Sequence, residues 1–210
     1  MSKKTNSILS IILPNKKTNI FVLFIIILGI ISGTIFLLVL NDTDKELVTN
    51  QITNFFTNIN TNNINNGQAF TNSLTQNFIF IILVWVLGMS MIGIFLNIFL
   101  IYMKGFIIGF SVSSFFLIYE YKGLIAGLIY LVPTSIINIL IVLMLGTYSI
   151  MFTMTLWKHI FSKTKGSGFN SFLKKYFLIL GICLLLGLVT AITESYLLPT
   201  IFKIFIKLFI

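Results

Sequence analysis

Residues 78–103 read FIFIILVWVLGMSMIGIFLNIFLIYM, a run with no charged side chain. A bilayer hydrocarbon core of ~30 Å is crossed by about 20 apolar residues as α-helix. No water is available there to satisfy backbone N–H and C=O groups, so an apolar run of this length reads as a membrane-spanning helix. Working outward, residues 19–40, 105–119, 123–156 and 176–198 pass the same test, the 105–119 run being short and the 123–156 run long. The five runs take up more than half of the chain. The expected fold is therefore an all-α integral membrane protein with about five transmembrane helices.

Of 210 residues, 57% are hydrophobic and only 9% charged, against about a quarter charged in soluble domains. This leaves one polytopic membrane domain over residues 19–198. A basic N-terminus (1–18) precedes it and a tail (199–210) follows it. The first run is longer than the apolar core of a signal peptide and no small-x-small cleavage site follows, so it reads as an uncleaved anchor. The net charge is +9, and every basic residue is lysine. These lysines flank the apolar runs instead of gathering on one polar face, so nucleic acid is not an expected partner and membrane lipid is. The single cysteine, Cys183, has no partner for an internal disulfide and reads as a small apolar filler.

Lysine placement sets orientation, because cytoplasmic loops hold the excess of positive charge. Lys3, Lys4, Lys16 and Lys17 precede the first run with no acid among them. The loop after it (41–77) has Asp42, Asp44 and Glu46 against Lys45 alone. The N-terminus is expected in the cytoplasm and loop 41–77 outside. On this reading the chain is back inside at Lys104, outside at residues 120–122, and inside again over 157–175, where Lys158, Lys163, Lys165, Lys174 and Lys175 lie. Pro133, followed by Thr134, Ser135 and Asn138, implies a kink in the fourth run, or a broken or re-entrant segment.

The outer loop keeps a helical period: Leu47, Val48, Ile52, Phe55, Phe56 and Ile59 fall on one side. Thr43 and Glu46 fit a capping box. A short amphipathic helix lying on the outer membrane surface or against the bundle is expected there. In the tail, Pro199 suits a helix start, and Lys203 and Lys207 share a face, as in an interfacial helix.

Little in the chain could carry catalysis. His159 is the only histidine, and neither a phosphate-binding loop nor a close pair of carboxylates is present. No catalytic residue, metal site or cofactor is expected. Three small-x-x-x-small spacings stand out: Gly29/Gly33, Gly105/Gly109 and Gly123/Gly127. In lipid, close backbone approach at glycine is a main source of helix association. They read as packing positions within the bundle or as an interface with a partner or a second copy. Glu194 is the only acid inside an apolar run, and an intramembrane carboxylate marks a functional candidate. With Pro133 and Asn138 it makes up the candidate intramembrane polar site, and Lys122 is one partner it could take.

Residues 70–110, FTNSLTQNFIFIILVWVLGMSMIGIFLNIFLIYMKGFIIGF, resemble the stage II sporulation protein M family of endospore-forming bacteria. The likeness rests on the 70–73 approach, Trp85 with Gly88, Gly93, and Lys104–Gly105 leading to Gly109. A second likeness is Glu194-Ser-Tyr196-Leu-Leu-Pro199, similar to a Glu-x-Tyr-x-x-Pro ending. A wider related group carries His-Gly-x-x-Glu after the fourth-run proline. Here Thr134, Ser135 and Asn138 stand instead, which places the chain with the narrower sporulation branch.

The resemblance implies a non-catalytic scaffold of engulfment, in which the mother-cell membrane moves around the forespore. Its implied partners are sporulation proteins D and P, which degrade septal peptidoglycan, and its implied place is the septal membrane. The alternative is the membrane subunit of a permease, with a separate ATPase. A purely structural, lipid-shaping protein is the third reading.

Overall fold

The computed structural model describes residues 14–60, 65–162 and 169–201. These form helices α1 (Lys16–Val39), α2 (Asp42–Asn60), α3 (Asn66–Gly88), α4 (Gly93–Ser162) and α5 (Phe169–Ile192), the last continuing through a π-helical turn (Thr193–Leu197). Among the described residues there is no strand. Five helical segments among the described residues are long and apolar enough to cross a membrane: Lys16–Val39, Asn66–Gly88, Gly93–Leu117, Val132–His159 and Ser171–Ile201.

The 78–103 run is not one span. Helix α3 ends inside it at Gly88, and α4 starts at Gly93. Met89 N–H and Ser90 N–H donate to Val86 O and Leu87 O, both at 3.0 Å, and close the turn. A Cβ on Gly93 would lie 1.8 Å from Leu87 O, so only glycine fits where the chain reverses. The residues around this turn are themselves apolar, which is why hydropathy hides it. At its other end α3 reaches back into the expected loop 41–77. Asn65 caps it, its Oδ1 accepting from Gly67 N–H at 3.1 Å and Gln68 N–H at 3.3 Å.

The residues of α4 are helical from Gly93 to Ser162, Pro133 included, but they do not form one rod. A straight helix of 70 residues would measure ~105 Å, more than three hydrocarbon cores. The run instead doubles back. Asn97 bonds Ser149, Gly146 sits against Ile101, and Gly127 sits against Phe115. These pairings give two antiparallel limbs with an apex near residues 120–122, where a turn is expected. The boundary expected at Lys104 falls mid-way along the first limb, and the Pro133 region is continuous helix, neither broken nor re-entrant.

The second limb of α4 is the centre of the bundle. Of its most apolar stretch 61% is buried, against 22–33% in the other four spans. On one side Val142 and Ile150 meet Val22, Ile26 and Ile101. On the other, Met144, Leu145, Tyr148 and Phe152 meet Ile81 and Val84 of α3 and Tyr176, Ile179 and Cys183 of α5. Tyr176 lies between two rings, 4.5 Å from Phe152 and 5.6 Å from Trp85. The outward faces of α1, α3 and α5 expose large apolar side chains such as Leu38, Ile79 and Leu185, a surface suited to lipid tails.

Helix α2 lies against the far part of the first limb, with Leu47, Val48, Gln51 and Ile52 facing Phe110, Ser111, Ser114 and Phe115 across a groove of about 330 Å³. The amphipathic helix expected in the loop is thus present, but its start differs. Asp42 is already helical and Lys45 N–H donates to Asn41 O at 3.0 Å. Asn41, not Thr43, stands at the cap. In α5 the last turns also differ from expectation, since Pro199 continues the fifth span and does not open a new helix. Proline lacks an N–H and its ring crowds the carbonyl four residues back, here Ser195. The widened turn at Thr193–Leu197, with Leu198 N–H bonded to Thr193 O, makes room for it. The interfacial helix expected beyond 201 lies outside the described residues.

Candidate functional site

Two membrane helices distant in sequence are joined by polar side chains. Ser73 Oγ on α3 donates to Glu194 Oε2 in the π-helical turn. Asn77, one turn along α3, donates from Nδ2 to Ser73 Oγ and to Thr190 Oγ1, both at 3.4 Å. Thr190 in turn donates to Gly187 O at 2.8 Å. Asn77 is 7% exposed and Thr190 not at all, so these bonds replace water that the bundle excludes. Above them the rings of Phe70 and Tyr196 meet at 6.3 Å.

A lysine completes the column. Residues 73, 77 and 80 share one face of α3 by their spacing, and Lys104 Nζ lies 4.6 Å from the centre of the Phe80 ring. A cation over an aromatic face gains about 0.5–2 kcal/mol, more as water is excluded. Lys104 stands near the middle of the span Gly93–Leu117, not at a membrane boundary. The side chain of Lys122, the partner considered for Glu194, lies outside the described residues.

Pro133 is exposed on the second limb, beside buried Thr134. Asn138 borders a space of about 10 Å³ with Lys104, Gly105 and Ile108, room for about one water.

The glycines form a helix contact. A Cβ on Gly29 would lie 2.3 Å from Tyr102 O, and one on Gly33 2.2 Å from Phe106 O. Reciprocally, a Cβ on Gly105 or Gly109 would lie 2.3 Å from Ile26 O or 2.1 Å from Ile30 O. The two motifs face one another, backbone on backbone, between α1 and the first limb of α4. Tyr102 OH donates to Ser32 Oγ at 2.7 Å beside them. Gly127 packs on the Phe115 side chain within the hairpin. What surrounds Gly123 lies outside the described residues.

A second polar cluster escaped the sequence reading. Asn97 Nδ2 donates to Ser149 Oγ, which donates to Val84 O at 3.2 Å. Thr153 Oγ1 donates to Gly88 O at 2.8 Å, and Tyr176 OH to Trp85 O at 2.7 Å. A Cβ on Gly88 would meet Ser149 Oγ at 2.2 Å and Tyr176 OH at 2.3 Å. On α1, Asn19 Oδ1 accepts from Thr147 Oγ1 at 2.6 Å. The only signal in the sequence was single Asn, Ser and Thr residues within apolar runs. Among the described residues no three His, Cys, Asp or Glu side chains gather as metal ligands do.

A model of the stage II sporulation protein M family matches residues 20–199. No curated protein and no solved structure matches the chain. The match takes in the α1–α4 glycine contact and both segments joined by Ser73 and Glu194, the same segments on which the sequence resemblance rests. A multi-pass membrane protein by its five apolar helices, the chain belongs to the stage II sporulation protein M family.

Proposed function

We propose that this protein is a non-catalytic membrane scaffold of sporulation, which positions peptidoglycan hydrolases of the sporulation D and P type at the septal membrane during engulfment. Family membership supports a sporulation role. The observation that carries the scaffold reading is the use of polar groups: Ser73 donates to Glu194 and Asn77 to Thr190, two bonds that tie α3 to the last span. Such bonds make a rigid platform and present no group to a substrate. With the N-terminus in the cytoplasm, as the lysines direct, α2 and the Ser73–Glu194 end face the wall. Leu47, 63% exposed on α2, is then offered to an extracytoplasmic partner.

The permease reading needs a polar passage at mid-membrane. The space of about 10 Å³ beside Lys104 and Asn138 gives it little support. The discriminating experiment is co-purification from sporulating cells in mild detergent. Wild-type protein is expected to bring down the hydrolases and Leu47→Asp to lose them at equal expression. Hydrolases absent from the wild-type eluate would overturn the proposal.

A further inference from the structure

At the membrane end where α1 begins and α4 finishes, a groove of about 420 Å³ opens between the two limbs of α4. Ile94, Phe95 and Ile98 form one wall, Met154 and Trp157 the other, and Lys158 stands at its mouth. The one hydroxyl on the lining is turned away, since Thr153 Oγ1 donates to Gly88 O and Ser149 O at 2.8 and 3.1 Å. The lining is therefore apolar up to a single cation. Phe95 and Met154 are 70% and 50% exposed, so the groove opens sideways toward lipid.

Charge at this end has one sign. Lys16 and Lys17 open α1, Lys158 and His159 close α4, and Lys174 and Lys175 lie near the start of α5. All five acids of the chain are elsewhere: Asp42, Asp44 and Glu46 in α2, Glu120 at the hairpin apex, and Glu194 in the π-helical turn. An apolar slot of acyl-chain character, ending at a lysine on an acid-free surface, is complementary to an anionic amphiphile. A protein helix would fill the slot equally well but would gain nothing from the cation at its rim. We propose that this groove binds one acyl chain of an anionic phospholipid, with the Lys158 ammonium on the headgroup phosphate.

The groove carries its own probe. Trp157 is one of two tryptophans, and the other, Trp85, can be replaced by phenylalanine. The Trp85 indole N–H has no hydrogen-bond partner among the described residues, and the carbonyl that Tyr176 uses is backbone. Full-length Trp85→Phe protein in vesicles, given trace brominated phosphatidylglycerol or brominated phosphatidylcholine, reports on Trp157 alone. About a fivefold preference for quenching by the anionic lipid is expected, the factor that ~1 kcal/mol per lysine at a membrane surface corresponds to. Lys158→Gln should bring the two lipids level. Ile98→Phe, which fills the slot and keeps the lysine, should lower quenching by both. Equal quenching by the two lipids, or a preference unchanged in Lys158→Gln, would overturn the proposal. So would the absence of quenching by either lipid, which would mean that protein covers the groove.

Discussion

Ser73 and Glu194, separated by 121 positions in sequence, share one hydrogen bond between α3 and the π-helical turn of the last span. The bond helps explain why an acid is tolerated within an apolar helix, since its oxygen has a donor.

Hydrogen bonds between membrane helices average ~0.6 kcal/mol and reach ~1.7. A double-mutant cycle of Ser73→Ala and Glu194→Ala, followed by unfolding in detergent, should give a coupling of about 0.6–1.7 kcal/mol. Additivity within ~0.5 kcal/mol would mean that the two do not interact.

The α1–α4 contact leaves no space for a side chain at four glycines. Gly29→Ala and Gly105→Ala each drive a Cβ to 2.3 Å from a backbone oxygen. Each should cost about 2–3 kcal/mol, the upper part of the overpacking range, because backbone yields less than a side chain. Gly181 is the control, having nothing within 4 Å of an added Cβ. Gly181→Ala should be neutral or stabilise by up to ~1 kcal/mol through helix propensity. Thermal denaturation of the three variants in one detergent checks the order.

The hairpin in α4 is testable by distance. Asn97 and Ser149 are hydrogen-bonded, whereas a straight helix would set them ~78 Å apart. With Cys183, the one native cysteine, replaced by alanine, Asn97→Cys with Ser149→Cys should cross-link within the chain under oxidation or with a short bifunctional reagent. No cross-link in folded protein would contradict the doubled-back run.

Lys104 separates two placements of the third span. At mid-membrane, Lys104→Cys in a Cys183→Ala background should resist a water-soluble maleimide. Ser90→Cys, in the exposed turn between α3 and α4, should react at least tenfold faster. Equal rates would return Lys104 to a membrane boundary.

The number of spans was legible because hydropathy counts apolar residues, and a helix buried in lipid must be apolar. Their ends were less so. At residues 89–92 the turn is as apolar as the helices it joins, and at 66–77 the helix is as polar as a loop. Lys104 looked like a border because the cost of a lysine in lipid is visible in sequence, while the Phe80 ring that offsets it is not. The glycine spacings announced close approach without saying to what. The pairing of Gly29 and Gly33 with Gly105 and Gly109 needed the fold, as did that of Ser73 with Glu194, although each partner was already conspicuous.

The scaffold account is tested most directly in the native organism. The gene would be deleted, sporulation induced, and the septal membrane imaged with a membrane dye. The account predicts membranes that stay flat or bulge without wrapping the forespore, restored by the wild-type copy. Normal engulfment in the deletion strain would contradict it.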